Sequence, residues 1–471
     1  MKLVLPAALL LLASAAAAPP AFAQTSAAGR TSLGPTSPFL GGVPTGTLSP
    51  QPVQLTILSA ITRALEHNLG VLNAQESVGR AEGKRWEMLA DLLPNVSGRI
   101  SENRQKVNLA AFGFPLPAGV PALVGPFNVF DARVNLTQSL FDRKATNLAQ
   151  AEGHRLTAAQ LNVKSARDLV ILVSGNLYVR ALASDARVQS AKAQVQTGQT
   201  IFDQATRLKE SGIVAGIEVL RAEVQLGSEQ LRLTAATNEF EITKLQLARV
   251  IGLPPGQAFT MSPDVPDVPV PTMTIEQALD GALKTRPDYL AALERLKASE
   301  ADRRSAAGEW LPSVRVTADY GTIGNTPGDA KGTYSLAGNV NVPIFNGGRT
   351  RGRLMQADAD LRMRRSEVED LKASIDFDVR STFLELTASS EQLKVATRSR
   401  DLAGQQLTQA RDRFAAGVTS NIEVVQAQEA VAASSEQYIA ALYAFQSAKA
   451  TLSRDLGTTE ELLRQLLGGA R

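Results

Sequence analysis

From Phe127 to Leu253 the chain runs for 127 residues without a proline, and a second proline-free run extends from Ile344 to Arg471. Proline removes a backbone donor and clashes with the preceding helical turn, so stretches free of it can form long unbroken helices. Read this way, residues from about 143 to 211 and from about 347 to 416 would each reach roughly 100 Å as one helix at 1.5 Å per residue. Such lengths exceed any compact globular core. The helices must pack side by side, as coiled coils or as the wall of a tube.

Each run is interrupted once by a glycine turn. "GIVAGIEVLRAEVQL" occupies Gly212 to Leu226, and the similar "GVTSNIEVVQAQEAV" occupies Gly417 to Val431, 205 residues later. Beyond each turn the apolar residues Val219, Leu226, Leu233, Phe240 and Leu247 recur every seventh position. So do Val424, Val431, Tyr438, Phe445 and Leu452. A seven-residue apolar repeat favours left-handed supercoiling, and a plain bundle core leaves a similar stripe. Either packing is compatible with an internal duplication.

The duplication orders the whole chain. Residues 55–253 form a first repeat with a strand hairpin at about 95–140 and a long helical hairpin at 143–252. Residues 274–457 form a second, with strands at about 313–344 and helices at 347–457. Each repeat opens on a similar helix signature, "LTILSAITRALEHNLGV" from Leu55 and "MTIEQALDGALKTRPDY" from Met273. The proline-rich stretch 254–273 reads as a linker, 24–54 as a flexible leader, and 458–471 as a C-terminal tail.

Residues 1–23 have the short basic start, apolar core and small-residue end of a secretory signal peptide, with cleavage expected after Ala23. A membrane anchor is the alternative, disfavoured by the short core interrupted at Pro6. The chain has no cysteine, which excludes disulfides and acylation through an N-terminal cysteine. No apolar run reaches 18 residues, so no transmembrane helix is expected. The net charge is only +3, with both signs interspersed, which argues against a nucleic-acid partner.

Four alternating stretches carry the most diagnostic pattern. Val314, Val316, Ala318 and Tyr320 share one face, and Ser313, Arg315, Thr317 and Asp319 the other. Tyr334, Leu336, Gly338, Val340, Val342 and Ile344 alternate with Thr333, Ser335, Ala337, Asn339 and Asn341. In the first repeat Ala132, Val134, Leu136 and Leu140 oppose Asp131, Arg133, Asn135, Thr137 and Ser139. Val96 and Ile100 are the clearest apolar positions of the weaker stretch 95–107. This pattern suits a membrane β-barrel with a wet interior, or two amphipathic hairpins on a soluble domain. Four strands are too few to close a membrane barrel, and a bilayer forbids open sheet edges. If the strands span a membrane, several chains must share one barrel; three would supply twelve strands.

The duplicated order of helix, Leu-Pro, strand hairpin, long helix and glycine turn resembles the TolC-type outer-membrane efflux channel family. The likeness covers nearly all of the mature chain. Its most specific motif is "RFAAGVTSNIEVVQAQ" (Arg413–Gln428), with a weaker copy, "LKESGIVAGIEVLRAE", at 208–223. The resemblance implies a mainly α fold with a small membrane β-barrel portion. It implies a homotrimer with a 12-stranded barrel in outer-membrane lipid and a 12-helix α-barrel reaching into the periplasm. It further implies a passive exit duct of a tripartite efflux or type I secretion system, partnered by a periplasmic adaptor and an inner-membrane transporter. Gly212 and Gly417 would then mark the periplasmic tip that docks the adaptor. Glu423 and, one turn later, Gln426 match positions that form charged rings in the family, so one ring is missing its acid. Phe414 and Thr419 stand where the family has a tyrosine and an arginine that close the tip, and Glu218 fills the acidic place in the first turn. The alternative for Glu423 is a solvated helix residue.

No enzyme is expected. His67 and His154 are the only histidines and sit in no metal-ligand spacing. No nucleophile motif or dinucleotide fingerprint stands out, and no cofactor is implied. "NGG" at 346–348 lacks the lysine of a phosphate loop and reads as a strand-to-helix turn. Asp376, Asp378 and Glu385 read as a solvated helix face or a water-filled lumen. A periplasmic coiled-coil adaptor without a barrel is the rival reading, and the four alternating strands weigh against it.

Overall fold

The computed structural model describes residues 37–113, 121–263, 273–416, 418–419, 421–461 and 463. The expected signal peptide, the second tip residue Gly417 and most of the tail lie outside the described residues. Each repeat opens on a helix with a reciprocal cap. In α1 (Ile57–His67) the Thr56 hydroxyl accepts from the Ser59 amide, while Ser59 Oγ accepts from the Thr56 amide. In α5 (Ile275–Thr285) Thr274 and Gln277 do the same. Each such cap contributes about 1 kcal/mol by satisfying orphan amides.

A second helix follows each, α2 (Leu69–Ala90) and α6 (Pro287–Gly308), and leads directly into a strand. Strands β2 (Asn95–Asn108), β3 (Leu123–Phe141), β5 (Ser313–Gly324) and β6 (Lys331–Asn341) form one antiparallel sheet in the order β2-β3-β5-β6. From β3 and β6 the chain enters α3 (Arg143–Glu210) and α7 (Arg349–Ala415), of 68 and 67 residues. Asp142 caps α3 by accepting from the Ala145 amide at 2.9 Å. The "NGG" segment is the turn into α7. The short helices α4 (Gly216–Val250) and α8 (Asn421–Asp455) return along them.

Packing partners give the lateral order. Near the sheet the helices run α2-α3-α6-α7, matching the strands they continue; towards the far end they run α4-α3-α8-α7. The molecule is therefore a slab one helix thick, about 100 Å long on the rise of α3 alone. One 18-residue window of α3 is apolar enough by length and composition to cross a membrane, but 56% of it is buried within the protein.

The duplication is visible in the core. Ala60, Ala64, Val170 and Leu247 pack in one cluster, and Ala278, Ala282, Ile375 and Leu452 in its counterpart. Residues read as flexible leader and linker contribute to the first cluster. Phe39 packs against it, and β1 (Val53–Leu55) pairs in parallel with β4 (Phe259–Met261). The fully buried Tyr178 hydroxyl lies 2.9 Å from the Leu55 carbonyl and 2.8 Å from that of Ser262, tying both strands to α3. Stretches 37–55 and 259–261 are thus built into the fold, because their backbone groups find partners there.

At the same level the second repeat buries charge. The Arg286 guanidinium donates to Asp288 at 2.7 Å and lies 3.6 Å from Asp378 and 3.9 Å from Asp455. Asp378, read from sequence as solvated, instead faces this buried cation. On α3, burial and the neighbouring Glu460 push the Asp168 carboxyl up to about 6. The Arg286 cluster joins α6, α7 and α8.

Candidate functional site

Two regions of the slab have geometry beyond packing: the hairpin ends and the open sheet. At the first hairpin end Gly212 adopts φ +70°, a left-handed conformation that costs glycine little. The Gly212 amide donates to Lys209 O and the Ile213 amide to Leu208 O, both at 2.9 Å, which closes α3 as a Schellman turn. The second end repeats the longer bond, Val418 amide to Arg413 O at 3.0 Å, 205 residues on.

The structure separates the residues singled out by sequence. Glu423 accepts from Arg413 Nη1 at 2.7 Å and from the Thr419 hydroxyl, so these three form one cluster within the second turn. Sequence reading missed Arg413; the available signal was a pair of opposite charges flanking a helix reversal. Glu218, the duplicate of Glu423, accepts from Arg221 Nη1 at 2.7 Å on its own helix. Gln426, the duplicate of Arg221, is exposed beside an apolar groove lined by Ile217, Leu220, Val224, Ile422 and Val425. Phe414 faces neither turn. It is 3% exposed and packs with Ile201, Ala205, Ala222, Val424 and Ala427, so it joins the two hairpins through their core.

A polar bridge above the turns also escaped the sequence reading. Gln225 Nε2 donates to Glu229 at 2.7 Å and to Glu429 at 2.8 Å, while Arg232 Nη2 donates to Glu429 at 2.8 Å. Burial raises the Glu229 carboxyl above its ordinary value. Glu429 is also raised by burial, but the bonds from Gln225 and Arg232 outweigh this and leave it lowered. The bridge joins α4 to α8.

In the sheet, register puts the apolar positions together. Val314 faces Val340, Ala318 faces Leu336, Tyr320 faces Tyr334 and Val134 faces Tyr320. Their side is open: Tyr334 is 82% and Val340 64% exposed. On the opposite side Arg133 bonds Asp131 at 2.7 Å and Asp319 at 2.8 Å. Gly321 stands across from Arg133, and a Cβ there would lie 2.3 Å from the arginine Cβ. Only glycine permits that approach. The sheet edges β2 and β6 have no strand partner among the described residues.

Among the described residues no group of three His, Cys, Asp or Glu side chains could hold a metal ion. His154 instead pairs with Glu294 at 2.7 Å, across α3 and α6.

A slab of paired long helices continuing into an open sheet with one apolar face is an architecture shared with solved outer-membrane channels. The chain belongs to the outer membrane efflux protein family, whose model matches residues 60–253 and 278–458, and such proteins are conduits without enzymatic activity. It is similar to the pyoverdine export outer membrane protein OpmQ of Pseudomonas putida, at 23% identity over 82% of this chain and 81% of that one. It is also similar to the alkaline protease secretion protein AprF of Pseudomonas aeruginosa, at 20% identity over 71% of each. Among solved structures, the Campylobacter jejuni CmeC outer membrane channel shares the fold at TM-score 0.76, with 17% identity, covering 88% of this chain and 89% of that one. The open state of the Neisseria gonorrhoeae MtrE channel does so at TM-score 0.74, with 18% identity, covering 88% and 94%. Outer-membrane localisation follows from this family.

Proposed function

We propose that three copies of this chain close into an exit duct, a 12-stranded barrel in the outer membrane continuing into a 12-helix tube across the periplasm. The carrying observation is the sheet with one exposed apolar face and two open edges, which a bilayer tolerates only if other copies complete it. A second observation agrees. The lateral edges of the helical slab, α4 and α7, both carry exposed apolar residues: Ile217, Val224, Leu231 and Leu245 on one, Phe377, Leu384 and Leu402 on the other. A neighbouring copy would bury both stripes. The duct conducts passively what an inner-membrane transporter and a periplasmic adaptor deliver to it, the adaptor engaging the Gly212 and Gly417 turns. Mass measurement in detergent is expected to give three protomers; a stable membrane-inserted single chain would overturn the reading. The similar proteins export a pyoverdine and a protease, so cargo does not follow from the shared architecture.

At the tip, three Glu423 carboxylates surround one aperture, each held back by Arg413 and Thr419 of its own protomer. Gln426 supplies no second acidic ring, and Phe414 holds the hairpins together where the family has a tyrosine. Divalent or trivalent cations added on the periplasmic side are expected to block conductance in a planar bilayer. Glu423→Gln should relieve that block and Arg413→Gln deepen it. Block that is unchanged in both variants would place the aperture elsewhere.

A further inference from the structure

The polar face of the sheet carries more positive charge than its aspartates can neutralise. Register places Arg99, Arg133, Arg315 and Lys331 on that face, with Asp131 and Asp319 as its only strand carboxylates. Both aspartates are committed to one partner, Arg133. Arg99 stands directly across from Arg133. Like charges so placed on a sheet are destabilising, so packing gives no reason for Arg99. Among the described residues the ion pairs on this face are those of Arg133 with Asp131 and Asp319, and neither Arg99 nor Arg315 takes part in one.

Closing the barrel does not supply a counter-ion. Arg99 lies on the edge strand β2, whose polar face otherwise presents Asn95, Ser97, Ser101 and Asn103. The other edge, β6, presents Lys331, Thr333, Ser335, Ala337, Asn339 and Asn341 on that face. When β2 of one copy meets β6 of the next, no carboxylate faces Arg99 at any register. Arg315 lies six positions down the ladder, pairing with Ser139 where Arg99's partner is Arg133, about 20 Å along the strands. Guanidinium groups stay charged at all accessible pH values and hold carboxylate or phosphate through paired hydrogen bonds. Low-dielectric walls strengthen such a field in a narrow passage.

Building on the duct reading above, we infer that the barrel section is an anion-attracting filter. It has two levels of unpaired arginine, Arg99 and Arg315, and it favours solutes bearing carboxylate or phosphate groups. It lies in series with the acidic tip and is opposite to it in sign. The duct therefore concentrates anionic cargo at its outer end while the tip admits cations.

The test uses full-length trimers in planar bilayers, with inositol hexakisphosphate added on the side of the barrel. The polyanion is expected to block current in the wild-type protein and equally in Glu423→Gln. In the double variant Arg99→Gln/Arg315→Gln its apparent affinity should fall tenfold or more, while Arg99→Lys/Arg315→Lys, which keeps the charge and loses the paired hydrogen bonds, should fall between that variant and wild type. Calorimetric titration of the same trimers in detergent checks binding independently of conductance. Conducting wild-type channels without block, or block unchanged in the glutamine variant, would overturn the filter. Absence of any trimer or conductance in the wild type would instead overturn the duct reading.

Discussion

Leu336→Arg is expected to abolish insertion of the assembled protein, whereas Ser335→Arg, one residue away, leaves trimers in the outer-membrane fraction. Leu336 lies at the middle of β6 on the apolar face, opposite Ala318, and is 73% exposed in the protomer. A charge near the bilayer midplane on such a face costs roughly 2–4 kcal/mol, and a symmetric trimer incurs it three times. Ser335 shares the other face with Asp319, its partner across the ladder, where an arginine meets water and a carboxylate. Heat-modifiable trimers, scored by gel mobility after membrane fractionation, separate the two outcomes. Equal loss in both variants would show that the assignment of the sheet faces is wrong.

Phe414→Ala carries the largest effect expected at the tip. The ring is nearly inaccessible and touches residues from both hairpins, including Ile201 and Ala205 of α3, Ala222 of α4 and Val424 of α8. Truncating a buried phenylalanine costs about 3–5 kcal/mol through lost contacts and the cavity left behind. Because this cluster joins hairpins that are otherwise bridged nearby by Gln225, Arg232 and Glu429, the loss is expected to be local. Hydrogen exchange at residues 421–427 should quicken by roughly two to three orders of magnitude or more, since each 1.4 kcal/mol is a factor of ten. The core residues Tyr178 and Ile375 should keep their protection. Phe414→Leu, which keeps most of the volume, should show a much smaller change. Protection unchanged in the alanine variant would mean the hairpins do not depend on this contact.

These residues also mark the boundary between what sequence carries and what it does not. Long proline-free runs, period-two stretches and the 205-residue offset are local signals, and helices, strands and turns are local structures. Hence the strand starts at Asn95 and Ser313, the helices that open each repeat, and the turn at Gly212 were legible from sequence. The faces of the strands were legible too, because alternation alone decides which side chains share a side.

Lateral order was not legible. Nothing in α4 or α8 names α3 as the helix between α4 and α8, because that order arises from packing among elements distant in sequence. For the same reason Phe414 read as a turn residue although the fold buries it, and Asp378 read as solvated although Arg286 lies 3.6 Å away. Glu423 could be picked out by its place after a glycine turn, but its pairing with Arg413 depends on how tightly the chain reverses between them. The commitment of Asp131 and Asp319 to a single arginine required β3 and β5 to lie side by side, with Gly321 making room. Sequence by itself determined the elements, their duplication and the polarity of each face. The tertiary structure decided which charges meet, because a side chain's counter-ion is set by neighbours that only packing brings within reach.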